Sequence, residues 1–262
     1  MKLLPLAFIA LFSIGCATRS DQATNESRQR YLMGLAWFQN AGEVRALSYQ
    51  AFNAAKHQVT TELKKRVRGK KKKPAIVFDL DETLLDNSPY QAWAVQNKTG
   101  YPKGWKEWIE KAEAKAIPGG IEFAKWGKKK GVELFYISNR KIRGLDATFK
   151  NMKALGFPVK KENIMLREKT SSKNERRAVV LKKYRVIAYL GDSLTDFTGD
   201  FEKQLTPQRA ELVDKMRDEF GRKFIVLPNP VYGDWEGALY QYNWRASETD
   251  KVKMLEESLK GF

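Results

Sequence analysis

Ala75-Ile76-Val77-Phe78-Asp79-Leu80-Asp81-Glu82-Thr83 is the stretch on which the fold turns. The apolar run 75–78 reads as a short buried strand. Two aspartates, two positions apart, then stand where strand gives way to loop. In open α/β sheets the carboxyl edge of the strands is where ligands bind. One carboxylate there can attack a phosphorus while the other handles protons. An isolated Asp-x-Asp is more often an acidic turn that merely ends a strand. Here Thr83, at the fourth position after Asp79, and matching pieces downstream favour the chemical reading.

Those pieces lie at other expected strand ends. Hydrophobic patterning predicts strands at 132–137, 163–166, 186–190 and 223–227. Helices are expected at 145–155, 172–183, 206–221 and 247–259, with Ser171 or Ser172 capping the second and Thr206-Pro207 and Gly221 bounding the third. Strands alternating with helices imply an α/β fold with a doubly wound, mainly parallel sheet. Its strand ends carry Asp79 and Asp81, then Ser138 and Asn139, then Asp192 and Asp196, while Lys173 opens a helix between the second and third sets. A parallel sheet gathers these ends at one edge. Four carboxylates crowded together repel unless a cation sits among them, and oxygen-only ligands favour Mg²⁺ over Zn²⁺. The single histidine, His57, falls in the amino-terminal helical region in a structural or surface role. A histidine nucleophile or a multi-histidine zinc site is thereby disfavoured.

The chain has 262 residues, enough for one large domain or a core with an inserted cap, and 42% hydrophobic and 30% charged content suits a soluble globular protein. Its net charge of +17, from 48 basic and 31 acidic residues, favours phosphate esters, nucleic acid or an acidic membrane surface, or is simply solvated lysine. Residues 1–15 read as a signal peptide: Lys2, an apolar stretch over 3–14, then Gly15. The apolar stretch is well short of the roughly 20 residues that span a bilayer. The segment resembles a bacterial lipoprotein signal, which implies a lipid anchor on Cys16, the only cysteine. An exported cell-envelope protein is expected, at the outer membrane if the cell is Gram-negative, since Ala17 and not aspartate follows Cys16. Residues 16–26 read as a flexible tether. Residues 27–70 read as helices, broken near Gly42, that could join a cap. The core occupies 74–86 and 119–230. The insertion 87–118 is rich in aromatics: Tyr90, Trp93, Tyr101, Trp105 and Trp108. Residues 231–262 supply a substrate-site segment and a terminal helix. The basic run Lys70–Lys73 is a solvated linker or an anion site.

Taken together, Asp79-x-Asp81-x-Thr83, Ser138, Lys173 and Asp192 with Asp196 are similar to the pattern of the haloacid dehalogenase-like phosphatases. More narrowly, the chain resembles the class C bacterial acid phosphatases, lipoprotein-type 5′-nucleotidases. That likeness runs through Ala46-Leu47-Ser48-Tyr49-Gln50-Ala51-Phe52-Asn53, Leu85-Asp86-Asn87-Ser88-Pro89-Tyr90, Gly191-Asp192-Ser193-Leu194-Thr195-Asp196-Phe197 and Tyr232-Gly233-Asp234-Trp235-Glu236-Gly237. Ser193 departs from the family, where asparagine is common.

The resemblance implies a haloacid dehalogenase-like core with a mostly helical cap. It makes Asp79 the nucleophile that forms an aspartyl-phosphate, and Asp81 the general acid and later base. It assigns Mg²⁺ to the Asp79 carboxylate, the Asp81 backbone carbonyl and the Asp192 carboxylate. Asp196 binds the metal through water or orients Lys173. Ser138, the Asn139 N–H and Lys173 contact phosphate. Trp105 and Tyr232 lie beside the substrate, an arrangement suited to a nucleobase. Thr83 is expected to bond locally in the nucleophile loop, and Arg140 is a phosphate neighbour or a plain surface residue. The implied activity is a Mg²⁺-dependent acid phosphatase, with an acidic optimum, acting on nucleoside 5′-monophosphates and nicotinamide mononucleotide. A homodimer is implied, its surface partly formed by the helices of residues 27–70, and no nucleic-acid polymer is expected as partner. Two other readings are phosphotransfer through the same intermediate and a surface lipoprotein that binds polyanions or a porphyrin.

Overall fold

The computed structural model describes residues 31–65 and 72–262. The expected signal peptide and tether, with Cys16, and residues Lys70 and Lys71 lie outside the described residues. In chain order the helices are α1 (31–40), α2 (Gly42–Lys64), α3 (Ser88–Gln96), α4 (Trp105–Lys111), α5 (Gly120–Lys129), α6 (Leu145–Ala154), α7 (Asn174–Lys183), α8 (Thr206–Lys215), α9 (Asp234–Leu239) and α10 (Glu248–Ser258). The strands are β1 (Lys73–Phe78), β2 (Leu85–Asp86), β3 (Lys115–Ala116), β4 (Glu133–Lys141), β5 (Ile164–Arg167), β6 (Tyr184–Gly191) and β7 (Phe224–Val226).

β1 is the middle strand of a parallel sheet ordered β5-β4-β1-β6-β7. Both faces of this strand are buried, which is why its sequence is a continuous apolar run and not an alternating one. Its side chains alternate between two cores. Ile76 and Phe78 pack with Phe52 of α2 and Phe123 of α5, whereas Ala75 and Val77 pack with Val180 of α7 and Phe197. Ala51, Phe52, Ala55 and Val59 form the buried stripe of α2. Helices therefore cover both faces of a mainly parallel sheet, the expected α/β class. The helical region from residue 31 breaks at Ala41, with Gly42 opening α2. His57 is exposed on that helix. Among the described residues no helix is long and apolar enough to cross a membrane.

Three element boundaries differ from expectation. β4 continues past residue 137 to Lys141, so Ser138 and Asn139 lie inside the strand; after a register shift Lys141 pairs with Arg167 of β5 and prolongs it. α7 begins at Asn174 and its N-cap is Lys173, not a serine. Ser172 instead bonds Glu202 at 2.7 Å. α8 stops at Lys215, short of Gly221, and a 3₁₀ turn (Arg217–Glu219) follows. Phe220 then packs against Phe197 and Phe224, which draws the chain off the helix axis.

The insertion is tied at its base. β2 and β3 pair antiparallel, Leu85 with Ala116 and Asp86 with Lys115. The segment between them carries α3 and α4, and from it Trp108 reaches Asn87 and Trp105 lies beside Arg140.

Candidate active site

The loop that follows β1 is shaped by its backbone. The Asp79 N–H donates to Leu190 O at 2.8 Å, locking the end of β1 to β6. Leu80 is fully buried, and its carbonyl accepts from the N–H groups of Leu84 and Leu85 at 2.9 and 2.8 Å. Glu82 takes the left-handed conformation at φ 55°, which turns the chain sharply after the second aspartate. Asp79 and Asp81, two apart on extended backbone, share one side while Leu80 anchors the other.

Lys173 is the hub of the acidic cluster. It is 6% exposed, its ammonium bonds the Asp79 carboxylate, and it lies 2.6 Å from Asp196 Oδ1. Its position as the α7 N-cap places it at the head of that helix, at the edge where β1 and β6 end. Burial favours the neutral amine, but Asp196 and Asp79 outweigh it and hold Lys173 above the ordinary lysine value. Carboxylate oxygens of Asp79, Asp192 and Asp196 all lie within 4.8 Å of one another. Burial pushes Asp79 well above the usual carboxyl range; Lys173 opposes it, while Asp196, Asp192 and Asp81 add to it. Burial, with Asp196 adding, lifts Asp192 to about 7, against the opposing hydrogen bond from Asn229.

Each member of that cluster has protein partners. Asp192 accepts from Thr83 Oγ1 at 3.3 Å and Asn229 Nδ2 at 2.8 Å. Thr83 thus bonds across to the end of β6 and not merely within its own loop. Asp196 Oδ2 accepts the Ser193 N–H at 3.0 Å, so Ser193 acts here through its backbone. That carboxylate also abuts Gly191, where a Cβ would stand 2.3 Å from Asp196 Oδ2 and 2.4 Å from its Cβ. Gly191→Ala is therefore expected to push Asp196 off Lys173 and to lower kcat by about 100-fold, the usual cost of a displaced electrostatic group. Steady-state kinetics check this. Unchanged turnover would show that the Asp196–Lys173 contact is dispensable.

Asp81 has a separate set of partners. It accepts from Ser138 Oγ at 2.9 Å, Arg140 Nε at 2.8 Å and Asn87 Nδ2 at 2.9 Å. Asn139 is exposed, and its side-chain oxygen accepts from Arg176 Nη2 at 2.7 Å. Arg176 also donates to Ser138 O at 2.6 Å, clamping the end of β4 to the start of α7. The two aromatic residues expected beside a substrate reach the same network from opposite ends. Tyr232 donates its hydroxyl to Glu82. Trp105 packs edge-on against Tyr90, 4.9 Å between centroids, with the Arg140 guanidinium 5.7 Å from its ring centre.

Several of these partners carried little sequence signal. Arg140 is 2% exposed and bonded to Asp81, not a plain surface residue. Glu82 is 2% exposed; burial, with Asp81 and Asp192 nearby, pushes it well above the usual carboxyl range. Asn229 has no motif around it. Arg176 was open to detection, since it stands three residues after Lys173, one helical turn along.

Residues 14–235 match the family model described as HAD superfamily, subfamily IIIB (Acid phosphatase). The class C acid phosphatase from Bacillus anthracis is 46% identical with a TM-score of 0.86, covering 90% of this chain and 99% of that one. Its structure with tungstate bound is 47% identical at a TM-score of 0.85, covering 90% and 98%. Acid phosphatase 1 of Solanum lycopersicum is 28% identical over 60% of this chain and 57% of its own length. Vegetative storage protein 1 of Arabidopsis thaliana is 28% identical over 60% of this chain and 54% of its own. The chain thus spans a little over half the length of these plant relatives. With the doubly wound sheet and the acidic edge already in place, the matches show that the chain belongs to the haloacid dehalogenase (HAD) superfamily, subfamily IIIB, the acid phosphatases, a family of phosphomonoesterases.

Proposed function

We propose that the chain is a Mg²⁺-dependent acid phosphatase that hydrolyses small phosphomonoesters through an aspartyl-phosphate on Asp79. Nucleoside 5′-monophosphates and nicotinamide mononucleotide are the substrates we expect. The observation that carries this reading is the buried Lys173 ammonium between Asp79 and Asp196, with Asp192 in the same cluster. Once ionised, three carboxylates against one ammonium carry two excess negative charges, which a divalent cation neutralises. The donors are all oxygens, which suits Mg²⁺. The Asp79 and Asp192 carboxylates and the Asp81 carbonyl would hold the ion, with Asp196 left to orient Lys173. A bound Mg²⁺ offsets the repulsion between the nucleophile and a phosphate dianion.

The chain's own groups then divide the work. Asp79 bonds to phosphorus as the ester P–O bond breaks. Asp81 gives its proton to the departing oxygen and later takes one from the water that opens the aspartyl-phosphate. Ser138 Oγ, the Asn139 N–H and Lys173 bind phosphate oxygens. The tungstate-bound relative supports an oxyanion site, because tungstate shares the tetrahedral shape and charge of phosphate. Trp105 and Tyr232 support a nucleoside, whose base offers a flat face for stacking.

A panel of phosphomonoesters, assayed with and without Mg²⁺ across pH, tests the reading. Mononucleotide hydrolysis strongest below neutrality and lost with a chelator is expected. Chelator-resistant hydrolysis, or an alkaline optimum, would overturn it. The same proposal includes a lipid on Cys16, export to the cell envelope, and the outer membrane as site in a Gram-negative cell; the mass of the mature chain reads the lipid directly. It also includes a homodimer across the amino-terminal helices, supported by exposed Leu32, Met33, Leu47 and Tyr49, with sedimentation as its test.

Metal and pH should be linked in stability. Asp79 and Asp192 hold their protons to higher pH when folded than when unfolded. Their raised folded values favour the folded state least where both are ionised. Stability from Asp192 is therefore highest below its ordinary value of 3.8 and declines until the pH passes about 7. Mg²⁺ needs the ionised groups, so it should raise Tm more at pH about 8 than at pH about 5. Thermal melts of the wild type against Asp192→Asn read this. Equal Mg²⁺ shifts at both pH values would uncouple the cluster from metal binding.

A further inference from the structure

The two oxygens of Asp81 are held differently. Oδ1 accepts from two nitrogen donors, Arg140 Nε at 2.8 Å and Asn87 Nδ2 at 2.9 Å. Oδ2 meets one hydroxyl, Ser138 Oγ at 2.9 Å. Both nitrogen donors are themselves fixed. Arg140 donates Nη1 to Thr148 Oγ1 at 3.2 Å and Nη2 to Asn87 Oδ1 at 3.1 Å. Asn87 is fully buried at 0% exposure. Its Oδ1 also accepts the Trp108 indole N–H at 2.9 Å, and its Nδ2 faces Glu82 Oε2 at 3.4 Å as well as Asp81. A flipped amide would set its oxygen against two carboxylates and its nitrogen against a guanidinium and an indole N–H. One orientation satisfies all partners. The backbone N–H of Asn87 is tied to Glu82 Oε1 at 2.9 Å, so the left-handed turn at Glu82 holds the asparagine in place.

An amide or guanidinium N–H can only donate, so Oδ1 is committed to its two partners. Rotating the Asp81 carboxyl would break both bonds. Oδ2 faces a hydroxyl that both donates and accepts, which leaves it free to exchange partners. We propose that Arg140 and Asn87 are positioning residues for Asp81: by holding Oδ1 they aim Oδ2 at the ester oxygen that leaves. The proposal rests on Asp81 being the general acid. In that step the ester P–O bond breaks, the Asp79 O–P bond forms, and the Oδ2 proton passes to the departing oxygen. The products are a neutral alcohol and an Asp81 carboxylate that Arg140 faces directly. When water later attacks the aspartyl-phosphate, its proton returns to Oδ2 and Asp79 is released.

A general acid matters most when the leaving group is poor. Glycerol phosphate must expel an alkoxide, whereas p-nitrophenyl phosphate expels a stabilised phenolate. kcat/KM is the quantity to compare, because it reports events up to alcohol departure and excludes the hydrolysis of the intermediate. Asp81→Asn should lower kcat/KM far more for glycerol phosphate than for p-nitrophenyl phosphate. Asn87→Ala and Arg140→Lys should show the same selectivity in weaker form: about 10–100-fold on glycerol phosphate, within the range of general-acid effects, and under about 3-fold on p-nitrophenyl phosphate. The ratio of the two substrates, taken on one preparation, is independent of the folded fraction. Absence of selectivity in Asp81→Asn would sink the general-acid reading itself. Selectivity in Asp81→Asn, but equal losses or none in both Asn87→Ala and Arg140→Lys, would overturn the positioning role and leave Arg140 as a phosphate contact or a packing group.

Discussion

Asp79→Asn is expected to lower kcat by on the order of 10⁴-fold or more, the scale seen when a covalent nucleophile is removed. The substitution keeps the shape of the side chain and removes the charge that, on the proposed mechanism, attacks phosphorus. It also removes one of the carboxylates crowding Lys173. The fold should tolerate it, because burial and three neighbouring carboxylates already push Asp79 toward its neutral form. A phosphomonoester should bind Asp79→Asn at least as well as the wild type, since a charge that repels the phosphate dianion is gone. Rapid-mixing kinetics and equilibrium binding of a mononucleotide on the same preparation separate the two effects. Turnover within about tenfold of the wild type would remove Asp79 from the chemistry.

Lys173→Met should be damaging twice over. The lysine is 6% exposed and faces two buried carboxylates. Without it they lose the cation that opposes their mutual repulsion. Breaking a buried pair from one side typically costs about 3–5 kcal/mol. Urea unfolding of the metal-free protein should register a loss of that order, and added Mg²⁺ should recover part of it. Turnover should fall by about 100-fold or more, because an apolar chain replaces the ammonium that pairs with Asp79 and that we propose contacts the phosphate. Acidic conditions should lessen the stability loss, since protonated Asp79 no longer needs a counter-charge. Equal stability of Lys173→Met and wild type at neutral pH would mean that the cluster is neutral without its lysine.

The acidic side of the site was legible because it is built from local motifs at strand ends. The 75–78 run announces a buried strand, and residues two apart after it must share a side. Asp192 follows the 186–190 run in the same way. Elsewhere the sequence misled by small amounts for identifiable reasons. Polar Ser138 and Asn139 read as the end of a strand, yet β4 continues because β5 offers Lys141 a partner after a register shift. Serines before α7 read as caps, but Ser172 finds a partner in Glu202, thirty residues away, and Lys173 takes the cap position.

The second half of the site was hidden for another reason. Tyr232 meets Glu82 across 150 residues, Arg140 meets Asp81 across 59, and Asn229 meets Asp192 across 37. No local pattern selects such partners. By itself the sequence determined the class of sheet and the edge at which its aspartates gather, because strand burial and side-chain alternation act over a few neighbouring residues. Only the tertiary structure decided which donors hold each carboxylate, because buried polar groups must be satisfied by whatever the packed chain brings within about 3 Å, however far apart in sequence.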